Sequence, residues 1–197
     1  MRFDLAHHTG STLPSIMEIG LISDTHGFLD PRVPKLFETC DEVWHAGDFG
    51  PSVAERLELA FPVFRGVHGN IDDEEIQDRY PENLRFECEG VHVWLTHIAG
   101  RPGRYDRRVR AKLNSDPPDL LICGHSHILH VEKDARLGHM QYLNPGAAGH
   151  HGFHLQRTLL KFQLTDGEIS RIRLIELGPR GRRASLMNSL ENSDETN

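Results

Sequence analysis

Two potential metal ligands, Asp24 and His26, stand two residues apart directly after the apolar run 17–22. In an extended backbone, residues two positions apart point to the same side, so a carboxylate and an imidazole can face one point. Together they supply one hard oxygen and one nitrogen, which is half of a metal site. Further oxygen and nitrogen donors follow in the segments Gly47-Asp48, Gly69-Asn70, Thr96-His97 and Gly124-His125-Ser126-His127.

The candidate ligands are two aspartates, one asparagine and four histidines, without a thiolate: Asp24, His26, Asp48, Asn70, His97, His125 and His127. Such a set suits Mn, Fe, Zn or a mixed pair of ions better than a closed structural zinc site. It is too large for one ion that keeps an open position, but it suffices for two ions if one carboxylate bridges them. Two ions about 3.5 to 4 Å apart can hold a nucleophilic hydroxide and clamp a phosphoryl oxygen. The predicted chemistry is therefore phosphoester hydrolysis.

The elements that must position these ligands are short apolar strands, predicted at 17–22, 42–46, 62–67, 91–95 and 119–123. Most of the ligand segments follow a predicted strand directly, and ligands in open α/β sheets gather at the carboxyl ends of strands. Helices are predicted at 31–37 and 52–59, a loop or frayed helix at 72–81, a further hairpin strand at 84–87, a loop at 100–103 and a basic amphipathic helix at 105–113.

The second half of the chain predicts strands without intervening helices, at 128–132, 140–143, 155–164 and 169–176. A βαβ-like half followed by a meander fits an α/β fold with two packed sheets flanked by helices. At 197 residues and 38% hydrophobic content, a single domain is expected. We place it at 16–178, with an N-terminal extension at 1–15 and a disordered tail at 179–197, where apolar residues become rare.

The ordered set of five motifs resembles the calcineurin-like metallophosphoesterase superfamily, and the short length resembles its small bacterial and archaeal phosphodiesterase branch. The segment Asn144-Pro145-Gly146 also matches that branch. The resemblance covers about residues 17–177 and implies a four-layer α/β/β/α sandwich of two mixed sheets, with a dinuclear metal centre at the strand ends. The expected activity is that of a metal-dependent phosphodiesterase.

The resemblance also assigns the ligands. Asp24, His26 and His127 would hold the first ion, and Asp48 would bridge. The second ion would be held by Asn70, His97 and His125. Asp48, Asn70 and His97 would then act in catalysis through the bound hydroxide and phosphate. Manganese is the expected metal, with Fe, Zn, Ni and Mg as alternatives.

Two positions depart from the family pattern. Many members carry a histidine after the Gly-Asn motif that is thought to protonate the leaving group, and this chain has Ile71 there. Several members continue the Thr-His motif as Gly-His, whereas this chain has Ile98-Ala99. Without these imidazoles, esters with good leaving groups should be hydrolysed far better than simple alkyl esters, because general acid help is commonly worth about 10² to 10⁴-fold.

Substrate contacts are predicted at three further positions. Arg104 lies in a loop that follows His97, and a guanidinium matches the geometry of a phosphate. His150 and His151 follow Asn144-Pro145-Gly146 and would line the pocket. His45 is expected to be a structural histidine, and Asp72 a loop carboxylate or a supporting group rather than a ligand.

Charge and composition exclude several classes. A net charge of -7 argues against a nucleic-acid binder, because affinity for phosphate backbones comes from excess Lys and Arg. No segment is apolar enough for a membrane span or a signal peptide. The three cysteines form no CxxC pair, which favours a reducing compartment. We therefore expect a cytoplasmic protein with a small phosphoester substrate, and the sequence leaves a homo-oligomer open.

The alternatives to a phosphodiesterase are a phosphomonoesterase, a nuclease and a scaffold. Some relatives resemble the retromer subunit, which has lost metal chemistry and serves as a protein-binding platform. The complete ligand set argues against that alternative, whereas Ile71 is a sign of erosion of the catalytic apparatus. The acidic charge balance and the lack of an added binding domain weaken the nuclease alternative.

Overall fold

The structure is a computed structural model that describes residues 15–181. Its strands are β1 (Met17–Ile22), β2 (Glu42–His45), β3 (Phe64–Gly66), β4 (Asn83–Cys88), β5 (Val91–Thr96), β6 (Gly100–Arg101), β7 (Arg104–Tyr105), β8 (Leu120–Ile122), β9 (Leu129–Asp134), β10 (Met140–Pro145), β11 (Gln156–Thr165) and β12 (Glu168–Pro179). Its helices are α1 (Val33–Leu36), α2 (Val53–Ala60), α3 (Glu74–Arg79) and α4 (Arg107–Ser115). Within the described part of the chain, none of these helices has the length and apolar character needed to cross a membrane.

The strands form two five-stranded mixed sheets and one small hairpin. The first sheet has the order β12-β11-β1-β2-β3, in which β1, β2 and β3 are parallel and β11 and β12 are antiparallel to their neighbours. The second has the order β4-β5-β8-β10-β9, with a parallel centre and antiparallel edges. Strands β6 and β7 pair only with each other.

Three apolar layers hold the sheets and helices together. The faces that the sheets turn towards each other bury one cluster, to which β1 contributes Ile19 and Leu21. The outer face of the first sheet packs against α1 and α2, and there the ring of Phe37 lies over Gly20, where a Cβ atom would come within 2.8 Å of the ring. The outer face of the second sheet packs against α4. The predicted four-layer α/β/β/α sandwich is confirmed.

Helices α3 and α4 begin at aspartate side chains. Asp73 accepts a hydrogen bond from the N–H of Ile76, and Asp106 accepts one from the N–H of Arg108. Such caps satisfy N–H groups that have no partner within the helix. The segment 72–81, for which the sequence left a loop or a frayed helix open, therefore contains a short capped helix.

The structure differs from the sequence prediction at two places. Residues 100–105 form the β6–β7 hairpin rather than a loop, because Pro102-Gly103 makes a tight turn with Gly103 at φ +77. Strand β12 continues through Pro179, which pairs with Gln156, so the predicted tail begins too early. Proline is tolerated there because β12 is an edge strand. Residues 1–14 and 182–197, which make up nearly all of the predicted extension and tail, lie outside the described residues.

A buried ion pair ties the loop after β1 to the last two strands. Asp30, which is 4% exposed, accepts hydrogen bonds from Arg157 at 2.9 Å and from Arg32 at 2.8 and 2.9 Å. Arg157 also donates to the carbonyl of Leu177 at 2.8 Å. The hydrogen bonds from Arg32, with those from Arg157, hold the pKa of the Asp30 carboxyl well below its usual range.

Replacing Asp30 with asparagine should lower the free energy of unfolding by about 2 kcal/mol at pH 7, because charge-assisted hydrogen bonds are lost. A depressed pKa gives stabilisation that is complete above the unfolded-state pKa of about 4 and is lost as the pH falls through the folded-state value. The gap between wild type and variant in urea unfolding should therefore narrow below about pH 4. Asp78→Asn, at an exposed position of α3, is the control. A gap that is the same at pH 7 and pH 3 would contradict this account.

Candidate metal centre

The loops that carry the predicted ligands meet at one edge of the sandwich and are joined by backbone hydrogen bonds. Asp24 donates its N–H to the carbonyl of Gly47 at 3.0 Å, and His26 donates to the carbonyl of Asp48 at 3.0 Å. The loop after β8 is joined to the loop after β5 by a bond from Gly124 to the carbonyl of His97 at 3.1 Å. The His125 N–H donates to Asp24 Oδ2, which joins the strand ends of both sheets into a single rim.

Five of the predicted ligands have left-handed backbone conformations. Their φ angles are 53° at Asp24, 46° at His26, 58° at Asp48, 67° at His125 and 58° at His127. Non-glycine residues with positive φ are uncommon, and each costs on the order of 1 kcal/mol. Strain of this kind clusters at functional sites, where the surrounding structure enforces it.

One group of four ligand atoms is tightly clustered. Asp24, His26, Asp48 and His127 each offer an atom, and these atoms lie within 4.8 Å of one another. His127 Nε2 lies 3.2 Å from Asp24 Oδ1 and 3.2 Å from His26 Nε2, and His26 Nε2 lies 3.6 Å from Asp48 Oδ2. The cluster contains the residues predicted for the first ion together with the predicted bridge.

His97 faces the other oxygen of Asp48. Its Nδ1 donates to the carbonyl of Ala46 at 2.7 Å, so in the neutral ring Nε2 carries a lone pair. Nε2 is buried without a hydrogen-bond partner and lies 3.2 Å from Asp48 Oδ1. Burial lowers the pKa of His97, but Asp48 and Asp24 more than offset this and raise it. Both facts indicate that a positive charge, a proton or a metal ion, belongs between Nε2 and Oδ1.

The other two predicted ligands of the second ion lie beside this pair. The ring of His125 is perpendicular to that of His97 with their centres 5.2 Å apart, and the His125 N–H donates to Asp24 Oδ2 at 3.1 Å. Asn70 is exposed, and its neighbour Ile71 donates its N–H to Asp48 Oδ1 at 3.1 Å. The second group is therefore more open to solvent than the first.

Charge and burial act in opposite directions on the other ring nitrogens. Burial lowers the pKa of His26 and of His125, and the carboxylates of Asp48 and Asp24 only partly offset it. For His127 burial also lowers the pKa, but the hydrogen bond with Asp24 and the negative charges of Asp24 and Asp48 together outweigh it, and the pKa is raised. Neutral imidazoles are the form that binds metal ions, so His26 and His125 are prepared for this role.

Supporting side chains hold the ligand loops in place. The buried carboxylate of Asp72 accepts the N–H of Gly50 at 2.9 Å and that of Gly69 at 2.8 Å, which connects the loops that carry Asp48 and Asn70. The buried amide of Asn144 donates to the carbonyl of Gly124 at 2.8 Å. The sequence singled out Asp72 and the segment Asn144-Pro145-Gly146. It could not show which backbone groups they bind, because those contacts join distant parts of the chain.

His45 has a structural role, as expected from the sequence. It accepts the N–H of Gly47 on Nδ1 at 3.1 Å, so Nε2 carries the proton and donates to Thr25 Oγ1 at 3.0 Å. Burial, with His97 nearby, lowers its pKa to about 3, so the ring is neutral. Thr25 in turn donates to the carbonyl of Phe49 at 2.9 Å, which fixes the segment between the ligands Asp24 and His26.

The three residues predicted to contact substrate have different surroundings in the structure. The ring of His151 lies 4.8 Å from that of His26, at the rim of the cluster. His150 turns away, with its ring 4.2 Å from that of Phe28 and its Nδ1 on the carbonyl of Arg180. Arg104 lies on the β6–β7 hairpin and shares a cavity with His125. Another histidine, His154, packs its ring 5.3 Å from that of His127.

The donor set fits a pair of divalent ions. Asp48 presents one oxygen to His26 and the other to His97, so a single carboxylate connects the two groups. Among the described residues, Nε2 of His97 is buried without a hydrogen-bond partner and faces an oxygen of Asp48. A cation between these two atoms would stabilise both. All donors are oxygen or nitrogen atoms, which suits manganese, iron or zinc.

Comparison with known proteins agrees with this geometry. The family model described as the calcineurin-like phosphoesterase superfamily domain matches residues 17–167. A protein of Mycoplasma pneumoniae named as a probable metallophosphoesterase is 35% identical over 134 residues, which is 64% of this chain and 76% of that protein.

Solved structures show the same fold. A Thermotoga maritima protein has a TM-score of 0.61 at 26% identity and covers 82% of this chain and 99% of its own. A structure described as a novel archaeal phosphodiesterase has a TM-score of 0.61 at 22% identity, with 82% and 100% covered. Vps29 of Chaetomium thermophilum has a TM-score of 0.65 at 14% identity, with 84% and 100% covered. With strand-end aspartates and histidines on this sandwich, the chain belongs to the calcineurin-like phosphoesterase superfamily.

Proposed function

We propose that this chain is a metal-dependent phosphodiesterase that binds two divalent ions and acts on a small phosphoester in the cytoplasm. The observation that carries the proposal is the position of Asp48. Its two oxygens face two separate groups of donors, one with His26 and one with His97. A single-ion site would not need a carboxylate placed between two groups.

The side chains have distinct roles in this proposal. Asp24, His26 and His127 would hold one ion, Asn70, His97 and His125 would hold the other, and Asp48 would contribute to both. When bound, the two ions lower the pKa of a water molecule and polarise a phosphoryl oxygen. The carbonyl of Ala46 keeps His97 in the tautomer that turns Nε2 to the centre. Asp72 fixes the loops of Asp48 and Asn70 before substrate arrives, so that little reorganisation is needed.

A diester with a good leaving group fits the site better than an alkyl ester. Ile71 is 45% exposed beside the centre, at the position where many family members carry a histidine, and it has no proton to give. The leaving group must therefore depart without protonation from this position. Manganese is the metal we expect to support this chemistry best.

The experiment that tests the function measures metal content and turnover together. The purified chain, reconstituted with Mn²⁺, should bind two ions by elemental analysis and hydrolyse bis(4-nitrophenyl) phosphate, and a panel with Mg, Ni and Zn should rank the metals. Asp48→Ala should lose both properties. A protein that binds no metal and is inert towards a panel of phosphoesters would support the scaffold alternative instead.

Replacing Ile71 with histidine should raise kcat/KM about tenfold for a dialkyl phosphodiester and leave that for bis(4-nitrophenyl) phosphate nearly unchanged. An imidazole there can protonate a poor leaving group, and general acid help is worth at least about 10²-fold when well positioned. Ile71→Gln is the matched control, since it is polar but cannot transfer a proton. Equal gains for the aryl and alkyl esters would show that the histidine does not act as an acid.

A further inference from the structure

The β6–β7 hairpin holds two arginines side by side. Arg101 and Arg104 are directly paired across its strands, so their side chains lie on the same face. Like charges in this arrangement destabilise a hairpin. The Pro102-Gly103 turn enforces the pairing, because proline fixes one φ angle and Gly103 takes the positive φ that the turn needs.

Neither arginine is neutralised within the part of the chain that the structure describes. The arginine ion pairs there involve other residues: Arg32, Arg65, Arg79, Arg85, Arg157 and Arg173. The buried carboxylate of Asp134, next to the hairpin, is already used by the hydroxyl of Tyr105 and the N–H of Arg136. Both arginines are exposed. Within the described part of the chain, their guanidinium groups are therefore free to bind an anion such as one carried by a substrate.

A cavity connects this arginine pair to the metal centre. It has a volume of about 350 Å³ and is lined by Arg101, Arg104, His125, Ser126, His130 and Tyr142. The hydroxyl of Tyr142 donates to the carbonyl of Gly100 at 2.7 Å, which fixes the base of the hairpin to the cavity wall. Because His125 belongs to both places, a group attached to a phosphoryl at the metal centre can extend into the cavity.

A second cavity, which reaches Ile71 beside the centre, has carboxylates in its wall instead of arginines. Beside Ile71 lies a cavity of about 430 Å³, lined by Glu55, Asp73 and Glu75 among others. Arg79 pairs with Glu55 and lies 3.9 Å from Glu75, whereas Asp73 caps α3 and forms no ion pair with another described residue. An anionic group on the substrate is therefore attracted to the arginine side and repelled from the Ile71 side.

We propose that Arg101 and Arg104 bind a second anionic group of the substrate, a phosphate or a carboxylate, carried by one alcohol of the phosphodiester. This inference rests on the proposed function and adds the class of substrate. The substrate is then a phosphodiester with a further negative charge several bonds from the scissile phosphoryl. Paired guanidinium groups match the geometry of such an anion and bind it with charge-assisted hydrogen bonds.

Two matched pairs of chromogenic substrates test the proposal and separate the two anions. Thymidine 5′-(4-nitrophenyl phosphate) is compared with and without a 3′-phosphate, and carboxymethyl 4-nitrophenyl phosphate is compared with the ethyl ester. The double variant R101A/R104A should raise KM at least about tenfold for the 3′-phosphate substrate, the carboxymethyl substrate or both. For the partner substrates that lack the second anionic group, KM should change less than twofold. R107A/R108A removes the same charge from the exposed start of α4 and should change neither.

The outcomes are distinguishable from failure of the proposed function. If the wild-type chain hydrolyses the diesters but R101A/R104A affects substrates with and without the second anionic group equally, the subsite is refuted and the function stands. If no diester is hydrolysed, the affinity for thymidine 3′,5′-bisphosphate, measured by calorimetry, tests the subsite without turnover. Affinity that is at least tenfold weaker in R101A/R104A than in R107A/R108A supports the subsite, and equal affinity refutes it.

Discussion

Replacing Asp48 with asparagine is expected to lower kcat/KM for bis(4-nitrophenyl) phosphate by about 10³-fold, at the upper end of what one electrostatic group contributes. Asparagine has nearly the same shape, but it presents one neutral oxygen and one N–H group in place of two charged oxygens. One of the two donor groups, with His26 or with His97, would then face an N–H group. Initial rates with saturating Mn²⁺ measure the effect.

Metal analysis shows whether this loss arises as proposed. The variant should bind fewer than two ions while the wild type binds two, and urea unfolding without metal verifies that the variant is folded. Asp78→Asn makes the same chemical change on the surface of α3 and should leave rates within twofold. An Asp48→Asn variant that keeps two ions and a tenth of the activity would disprove the bridging role.

The meeting of Asp24, His26, Asp48 and His127 was predictable from the sequence because their positions follow from a simple rule. Most ligand segments come directly after an apolar strand, and strands that run the same way bring their carboxyl ends to one edge. The four layers were predictable for a related reason, since the apolar run of β1 indicates a strand covered on both faces and the basic amphipathic pattern of α4 indicates a helix that covers one face.

The support around the ligands could not be predicted because it depends on contacts between distant segments. Asp72 binds Gly50, 22 positions away, and no local pattern indicates that contact. The left-handed conformations of Asp24 and Asp48 are imposed by neighbouring loops and oppose their intrinsic preference. The β6–β7 hairpin has strands of two residues each, which is too short for any periodicity to show. Its paired arginines became visible only from the register.

Glycine at position 69 is required by the close approach of the Asn70 loop to Asp48. A Cβ atom there would lie 2.0 Å from Asp48 Oδ1 and 2.4 Å from the backbone nitrogen of Asp48. The backbone nitrogen cannot move without disturbing the loop after β2, and the carboxylate cannot move without leaving its position between His26 and His97. The contact therefore couples the stability of the loop to the geometry of the metal centre.

Gly69→Ala should consequently reduce kcat/KM by about 10² to 10³-fold and destabilise the chain by about 3 kcal/mol, at the upper end of what overpacking costs. Gly181→Ala adds the same methyl group where no atom of the described residues lies within 4 Å and should leave both properties unchanged. Urea unfolding of the metal-free protein and titration with Mn²⁺ separate the two effects. Because the displaced group is the carboxylate that joins the two donor groups, Mn²⁺ affinity should fall even at temperatures where the variant is fully folded. Wild-type affinity in a folded Gly69→Ala protein would mean that Asp48 does not hold the metal in the position seen here.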